Sequence, residues 1–166
     1  LAPGEKILEL GCGWGGFARY AAEHYGVQVI AYNISIAQVE WARARCKGLP
    51  VEFRLQDYRE ATGAFDKVVA IGLCEHVGYK NYRSFLDLAH HCLKPGGIFL
   101  LHTIGRNRSV HHTDAWLDRY IFPGGMLPSA AQLGQAMEDL FVLEDWHNFG
   151  TDYDRTLMAW HANFEK

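Results

Sequence analysis

The sequence contains no apolar run near the ~20 residues that cross a bilayer, since its longest candidate, Gly97 to Ile104, is strand-sized. It has no Lys- or Arg-rich tract either, and a formal charge of −3 leaves no basic footprint for nucleic acid. The four cysteines, Cys12, Cys46, Cys74 and Cys92, form no Cys-x-x-Cys pair. That excludes the usual zinc and redox spacings, disfavours a disulfide framework, and points to reduced thiols in a cytoplasmic setting. His111, His112 and Asp114 lack a full ligand spacing, so no metal is expected. Missing as well is an acid about 20 residues past the first glycines, where a dinucleotide site binds ribose hydroxyls. Tyr32-Asn33-Ile34-Ser35 stands there instead.

What is present begins with Lys6-Ile7-Leu8-Glu9-Leu10-Gly11-Cys12-Gly13-Trp14-Gly15-Gly16, an apolar run that empties into glycines. Glycine is needed where φ is positive or where a ligand approaches the backbone, and a single turn does not require so many. Gly11, Gly13 and Gly16 fit G-x-G-x-x-G, a pattern also shown by dinucleotide sites and by plain glycine turns. Glu9 separates these readings, because an acid beside the loop repels a pyrophosphate and suits a ligand with positive charge. S-adenosylmethionine, with an ammonium and a sulfonium, meets that requirement.

The remaining pattern alternates strands and helices, as in an open, mainly parallel α/β sheet of Rossmann-like type flanked by helices. Helical spacing follows Gly16 and ends at Gly26, Val27 to Tyr32 reads as a strand, and Ser35 with Gln38 has capping-box spacing for a helix to about Gly48. Val51 to Leu55 and Phe65 to Leu73 are strands, the second unbroken enough to be central. A helix over Asn81 to Leu93 stops at Lys94-Pro95-Gly96-Gly97, and Ile98 to Leu101 is a fifth strand. Gly105 to Leu127 shows no period and is expected to be a functional lid or a disordered connection. Ser129 and Gln132 open another helix to about Leu140, Phe141 to Trp146 reads as a strand, and Thr156 to Phe164 is strand or helix. Residues 1–166 form one domain, expected to be truncated at both ends. A strand at Phe141 to Trp146 without a neighbour would then be covered by further polypeptide or by a homo-oligomer.

Polar residues gather at three strand exits: Gln56-Asp57-Tyr58, Cys74-Glu75-His76-Val77-Gly78 and His102-Thr103-Ile104. Together with the glycine stretch and Glu144-Asp145-Trp146-His147-Asn148-Phe149-Gly150, these residues carry a resemblance over essentially the whole chain. The sequence closely resembles the catalytic domain of cyclopropane-fatty-acyl-phospholipid synthases and, more distantly, mycolic acid cyclopropane synthases. The resemblance implies a class I S-adenosylmethionine-dependent methyltransferase fold and transfer of a methylene group to the cis double bond of an unsaturated phospholipid acyl chain. It implies Gly11, Gly13 and Gly15, with Asn33, Ile34, Gln38, Gln56, Asp57 and Tyr58, as cofactor contacts, and Glu9 and Cys12 complete the expected set. It further implies that Glu75, His102, Tyr153 and the backbone of Ile104 hold a bicarbonate ion acting as base. Asn33 stands where relatives have Thr, and Cys74 where they often carry an aromatic. The family's upstream helices, with a further bicarbonate ligand, and its last strand have no counterpart here.

An alkene is a weak nucleophile, so the chemistry needs a sulfonium donor held dry and in line, and a positioned base to remove a proton on ring closure. Tyr79, Tyr82, Tyr120 and Phe122 are candidate aromatic faces for the passing positive charge. The expected partner is a phospholipid at a membrane surface, with peripheral rather than spanning contact. Two other classes stay open on the residues alone: a nicotinamide-binding oxidoreductase and a non-catalytic lipid-binding domain. Glu75 as a helix-cap acid, and Gln38 as only the capping partner of Ser35, are the structural alternatives.

Overall fold

A computed structural model describes residues 1–166. The strands are β1 (Lys6–Leu10), β2 (Gln28–Asn33), β3 (Val51–Leu55), β4 (Phe65–Ile71) and β5 (Leu93–His102), and the helices are α1 (Gly16–Tyr25), α2 (Ile36–Arg45), α3 (Tyr82–His91), α4 (Ala115–Tyr120), α5 (Ala130–Met137) and α6 (Tyr153–Phe164). One sheet runs in the order β3-β2-β1-β4-β5 with every pair parallel, as expected for a Rossmann-like α/β domain. The chain order reverses between β1 and β4, and ligands of open α/β sheets bind at that reversal, beyond the strands' C-terminal ends.

Alternation along the strands builds two cores, one on each face. Ile7, Val29, Ala31 and Val69 pack with Ala18 and Ala21 of α1 and with Val39 and Ala42 of α2. Leu8, Leu10, Val68 and Ala70 pack with Phe85, Leu86 and Ala89 of α3 and with Leu133 and Ala136 of α5. Because both faces of β1 are covered, it reads as a continuous apolar run. Gly26 closes α1 in the left-handed conformation at φ 62°, as its position predicts.

Several boundaries differ from the sequence reading. Lys94 to Gly97 does not precede the fifth strand but belongs to it, with the ladder shifting register between Phe65 opposite Leu93 and Lys67 opposite Ile98. Pro95 is tolerated because β5 is an edge strand. Phe141 to Trp146 is not a strand: no chain segment lies beyond β5 to pair with it, and Glu144-Asp145 interrupts its apolar pattern. Phe141 instead turns its ring onto Phe99 at 5.5 Å and His90 at 5.6 Å, while Val142, Leu143 and Trp146 stay exposed. The undecided C-terminal stretch is helical as α6, and the aperiodic connection holds the short helix α4, capped by Asp114. No helix is long and apolar enough to cross a membrane.

Candidate active site

The β1 loop does several jobs with its glycines. A Cβ on Gly11 would come within 3.0 Å of Leu73, and one on Gly15 within 2.8 Å of Ala42 and 3.0 Å of Phe53, so both are glycine for packing. A Cβ on Gly13 would meet nothing within 4 Å, and its φ is +51°, so its surface faces open space. Of the three, Gly13 is the one at which a ligand can approach the backbone. The loop is braced from β2: the Gly11 and Cys12 N–H groups donate to the Tyr32 carbonyl, each at 3.0 Å. Asn33 Nδ2 donates to the Gly13 carbonyl at 3.1 Å and to Gln38 Oε1 at 2.8 Å, while Asn33 Oδ1 accepts the Ser35 N–H at 3.1 Å.

This bracing diverts the capping box. Ser35 Oγ accepts the Gln38 N–H at 3.4 Å, but the Gln38 side chain serves Asn33 and does not return to Ser35. Glu9 is buried at 3% exposure, and its Oε2 has no hydrogen-bond partner. Burial pushes its carboxyl up to about 8, against a lowering by the Ala18 N–H. The protonated acid is therefore its ground form near neutral pH, which corrects the idea of a standing negative charge beside the loop. An orphaned buried carboxyl beside the glycine loop fits a ligand that brings a hydrogen-bond partner, or a positive charge that would draw the carboxyl back down and release its proton on binding, as S-adenosylmethionine can.

At the other side of the reversal, the exits of β4 and β5 are stitched together. The Gly72 N–H donates to the His102 carbonyl at 3.0 Å, and the Ile104 N–H donates to Glu75 Oε1 at 2.8 Å. Glu75 sits in a single 3-10 turn, Cys74–His76, and its Oε2 is buried without a partner. Its carbonyl accepts the Met126 N–H at 2.7 Å, and Tyr82 OH donates to the Met126 carbonyl at 3.4 Å. The end of the long connection read from Gly105 to Leu127 thus fixes Glu75 from outside at Met126. The His102 ring lies 6.0 Å from Phe149, whose carbonyl accepts the Tyr153 N–H at 3.2 Å. Phe149 links His102 to the start of α6, and the Tyr153 ring rests against Trp160 at 5.8 Å.

Other expected residues have partners within the protein. Asp57 is held by Arg59, with Oδ2 at 2.6 Å from the guanidinium, and that pairing keeps its carboxyl below the usual range. The Gln56 N–H donates to the Asn33 carbonyl at 3.1 Å, Ile34 is exposed, and the Tyr58 ring packs edge-on against Phe85 at 5.6 Å. Among the aromatic faces, Tyr82 is buried, Tyr79 lies 4.5 Å from the His111 ring, and Tyr120 and Phe122 are exposed.

A family model described as mycolic acid cyclopropane synthetase matches residues 1–166. The chain is 51% identical over 164 residues to the cyclopropane-fatty-acyl-phospholipid synthase of Escherichia coli K12, covering 99% of this chain and 43% of that protein. It therefore spans less than half the length of that relative. The structure of the cyclopropane synthase MmaA2 from Mycobacterium tuberculosis superposes with a TM-score of 0.87 at 28% identity, over 96% of this chain and 62% of that one. The mycolic acid cyclopropane synthase CmaA1, complexed with SAH and CTAB, gives 0.86 at 28% identity over 98% and 63%. Matched by the family model along its whole length, this chain belongs to the mycolic acid cyclopropane synthetase family.

Proposed function

We propose that this chain is the catalytic core of a cyclopropane-fatty-acyl-phospholipid synthase, transferring a methylene group from S-adenosylmethionine to the cis double bond of an unsaturated phospholipid acyl chain. The observation that carries the reading is the pair of buried, unpartnered carboxyl oxygens, Glu9 Oε2 and Glu75 Oε2, one on each side of the strand-order reversal. Gly11, Cys12, Gly13 and Gly15, with Glu9, Asn33, Ile34, Gln38, Gln56, Asp57 and Tyr58, are the residues that would hold the cofactor. S-adenosylmethionine, when bound, supplies a methyl group made electrophilic by its sulfonium.

On the protein side, Asn33 holds the Gly13 peptide in place and so keeps the approach surface of the loop fixed. Glu75, pinned through one oxygen by the Ile104 N–H, keeps the other for a proton donor or for an acid proton of its own. His102, carried on the strand exit stitched to Gly72, and Tyr153 at the start of α6 add an imidazole and a phenol. An acid, an imidazole and a phenol are the groups that would hold a small oxyanion, and bicarbonate, if bound among them, would supply the base that takes the proton released on ring closure. Of the aromatic faces expected from the sequence, Tyr82 is buried in the core and Tyr120 and Phe122 are exposed on the connection, which leaves Tyr79, beside the His111 ring, to lower the energy of positive charge near the double bond. The protein works in the cytoplasm at the membrane surface.

Isothermal titration of the purified chain with S-adenosylmethionine and, separately, with NAD tests this reading. Saturable binding of S-adenosylmethionine and none of NAD is expected. The opposite pattern would make the protein an oxidoreductase, and binding of neither would make it a non-catalytic domain.

A further inference from the structure

The turn that carries Glu75 does not hold itself in place. Cys74–His76 is a single 3-10 turn, closed by the His76 N–H on the Leu73 carbonyl at 2.9 Å and the Val77 N–H on the Cys74 carbonyl at 3.1 Å. One turn with that bonding is too short to be stable alone. The next carbonyl, that of Glu75 itself, leaves the turn and accepts the Met126 N–H at 2.7 Å. The direction of the Glu75 side chain therefore depends on where a distant peptide lies, the one joining Gly125 to Met126.

That peptide is held on its other side by Thr113, whose Oγ1 donates to the Gly125 carbonyl. Hydroxyl, peptide and carbonyl thus form one line of hydrogen bonds, Thr113 to Gly125 and Met126 to Glu75, in which each bond polarises the next. The following carbonyl, of Met126, accepts the hydroxyl of Tyr82 at 3.4 Å. Tyr82 is 1% exposed, and burial pushes its phenol up to about 12, so it stays a protonated donor. Gly125 itself is tightly set. A Cβ there would stand 3.0 Å from the Phe122 carbonyl oxygen, which already accepts the Gly125 N–H at 2.9 Å.

At the carboxyl end, Glu75 Oε1 accepts the Ile104 N–H at 2.8 Å, and Oε2 is buried without a partner. The Ile104 bond fixes one oxygen but leaves the group free to turn about it. The backbone anchor at Met126 supplies a second fixed point, and two fixed points set the direction of the free oxygen. We propose that Thr113 and Tyr82 are positioning residues for the reaction: through the Gly125–Met126 peptide they fix the Glu75 turn, and with it the direction in which the free Glu75 oxygen faces the reacting groups. They act through Glu75 and not on the reacting atoms. This rests on the reading of Glu75 as part of the base site.

The test uses the full-length protein with Thr113→Val, which keeps the branched shape and removes the donor, and with Tyr82→Phe, which keeps the buried ring. Cyclopropane formation on vesicles of dioleoylphosphatidylglycerol is divided by the number of S-adenosylmethionine sites found by calorimetry, so that unfolded protein does not count. A misplacement of about 1 Å at a catalytic group costs up to about 100-fold, so kcat should fall about 10- to 100-fold in Thr113→Val and by less in Tyr82→Phe, whose bond is longer. KM for the vesicles and affinity for S-adenosylmethionine should stay at the parent values. Thr113→Ser, which restores the hydroxyl, should recover most of the parent rate. Ser109→Ala opens a different anchor of the same connection, the 2.8 Å bond between Ser109 and Ser129, and should turn over like the parent. Hydrogen exchange over the segment containing Ile104, read by mass spectrometry, should speed up in Thr113→Val, because the Glu75 carboxyl no longer stays on that N–H. The proposal is overturned by a Thr113→Val protein with the parent's kcat or unchanged exchange at Ile104, or by a Thr113→Ser protein as slow as Thr113→Val. It is also overturned if Ser109→Ala slows as much as Thr113→Val, since the connection would then be only a structural strap. A parent that forms no cyclopropane sinks the enzymatic reading and the proposal together, whereas an active parent beside equally active variants sinks the proposal alone.

Discussion

Two helices of this protein open with nearly the same four residues, Ser35-Ile36-Ala37-Gln38 at α2 and Ser129-Ala130-Ala131-Gln132 at α5, and the structure treats them differently. At α5 the box closes: Gln132 donates its N–H to Ser129 Oγ at 3.1 Å, and its side chain accepts the Ser129 N–H at 3.0 Å. At α2 the first bond is long, 3.4 Å, and the Gln38 side chain leaves the box to hold Asn33, which in turn holds the glycine loop. Next to that loop Glu9 keeps a buried oxygen without a partner. Where only a helix is at stake the local pattern is completed. Where a ligand loop must be held open, the same pattern is bent toward the loop and stability is lost to an orphaned acid.

The largest effect expected from this contrast concerns Glu9. Its carboxyl sits near 8 in the folded protein and near 4.5 ordinarily, so the folded state holds a proton that the unfolded state has released. Stability must then fall as pH rises from about 4.5 to about 8 and level off above that. Glu9→Gln removes the ionisation. In thermal unfolding across pH 5 to 8, the substitution should flatten this part of the decline, with a Tm gap of several degrees at pH 8. Parallel curves for the two proteins would show that Glu9 is not the strained group.

A smaller pair of changes sharpens the comparison. Asn33→Ala frees the Gly13 carbonyl and the Gln38 side chain, and should weaken S-adenosylmethionine binding by about 1–3 kcal/mol. Gln132→Ala opens only the closed box, and should cost about 1 kcal/mol or less in urea unfolding with cofactor affinity unchanged. Equal effects of both substitutions on affinity would erase the distinction between the two helix starts.

Much of this was legible in the sequence, for reasons that differ by region. The five strands and the helices α1, α2, α3 and α5 follow from period and from glycine and capping residues, because each buries a continuous face. Phe141 to Trp146 misled because strand pattern is not strand pairing, and nothing beyond β5 supplies a ladder. The glycine loop could be read as a ligand loop, but not which glycine faces the ligand. That depends on Leu73, Ala42 and Phe53 arriving from distant parts of the chain. The exits carrying Glu75 and Ile104 were both recognisable as polar, yet their mutual hydrogen bond is a product of β4 and β5 pairing in this register. Met126, which fixes Glu75, carries no local pattern, and Phe149, though part of a recognisable motif, gives no sign in the sequence that it faces His102.

The central claim divides the site into a cofactor half at the β1 loop and a base half at the exits of β4 and β5. It is tested most directly by measuring, for Gly13→Val and Glu75→Ala, both S-adenosylmethionine affinity and cyclopropane formation on unsaturated phospholipid vesicles in the full-length protein. The account predicts a crossed result: Gly13→Val loses cofactor affinity, because a branched side chain fills the open approach, whereas Glu75→Ala keeps that affinity and loses product. Equal loss of cofactor affinity in both variants, or normal affinity in Gly13→Val, would contradict it.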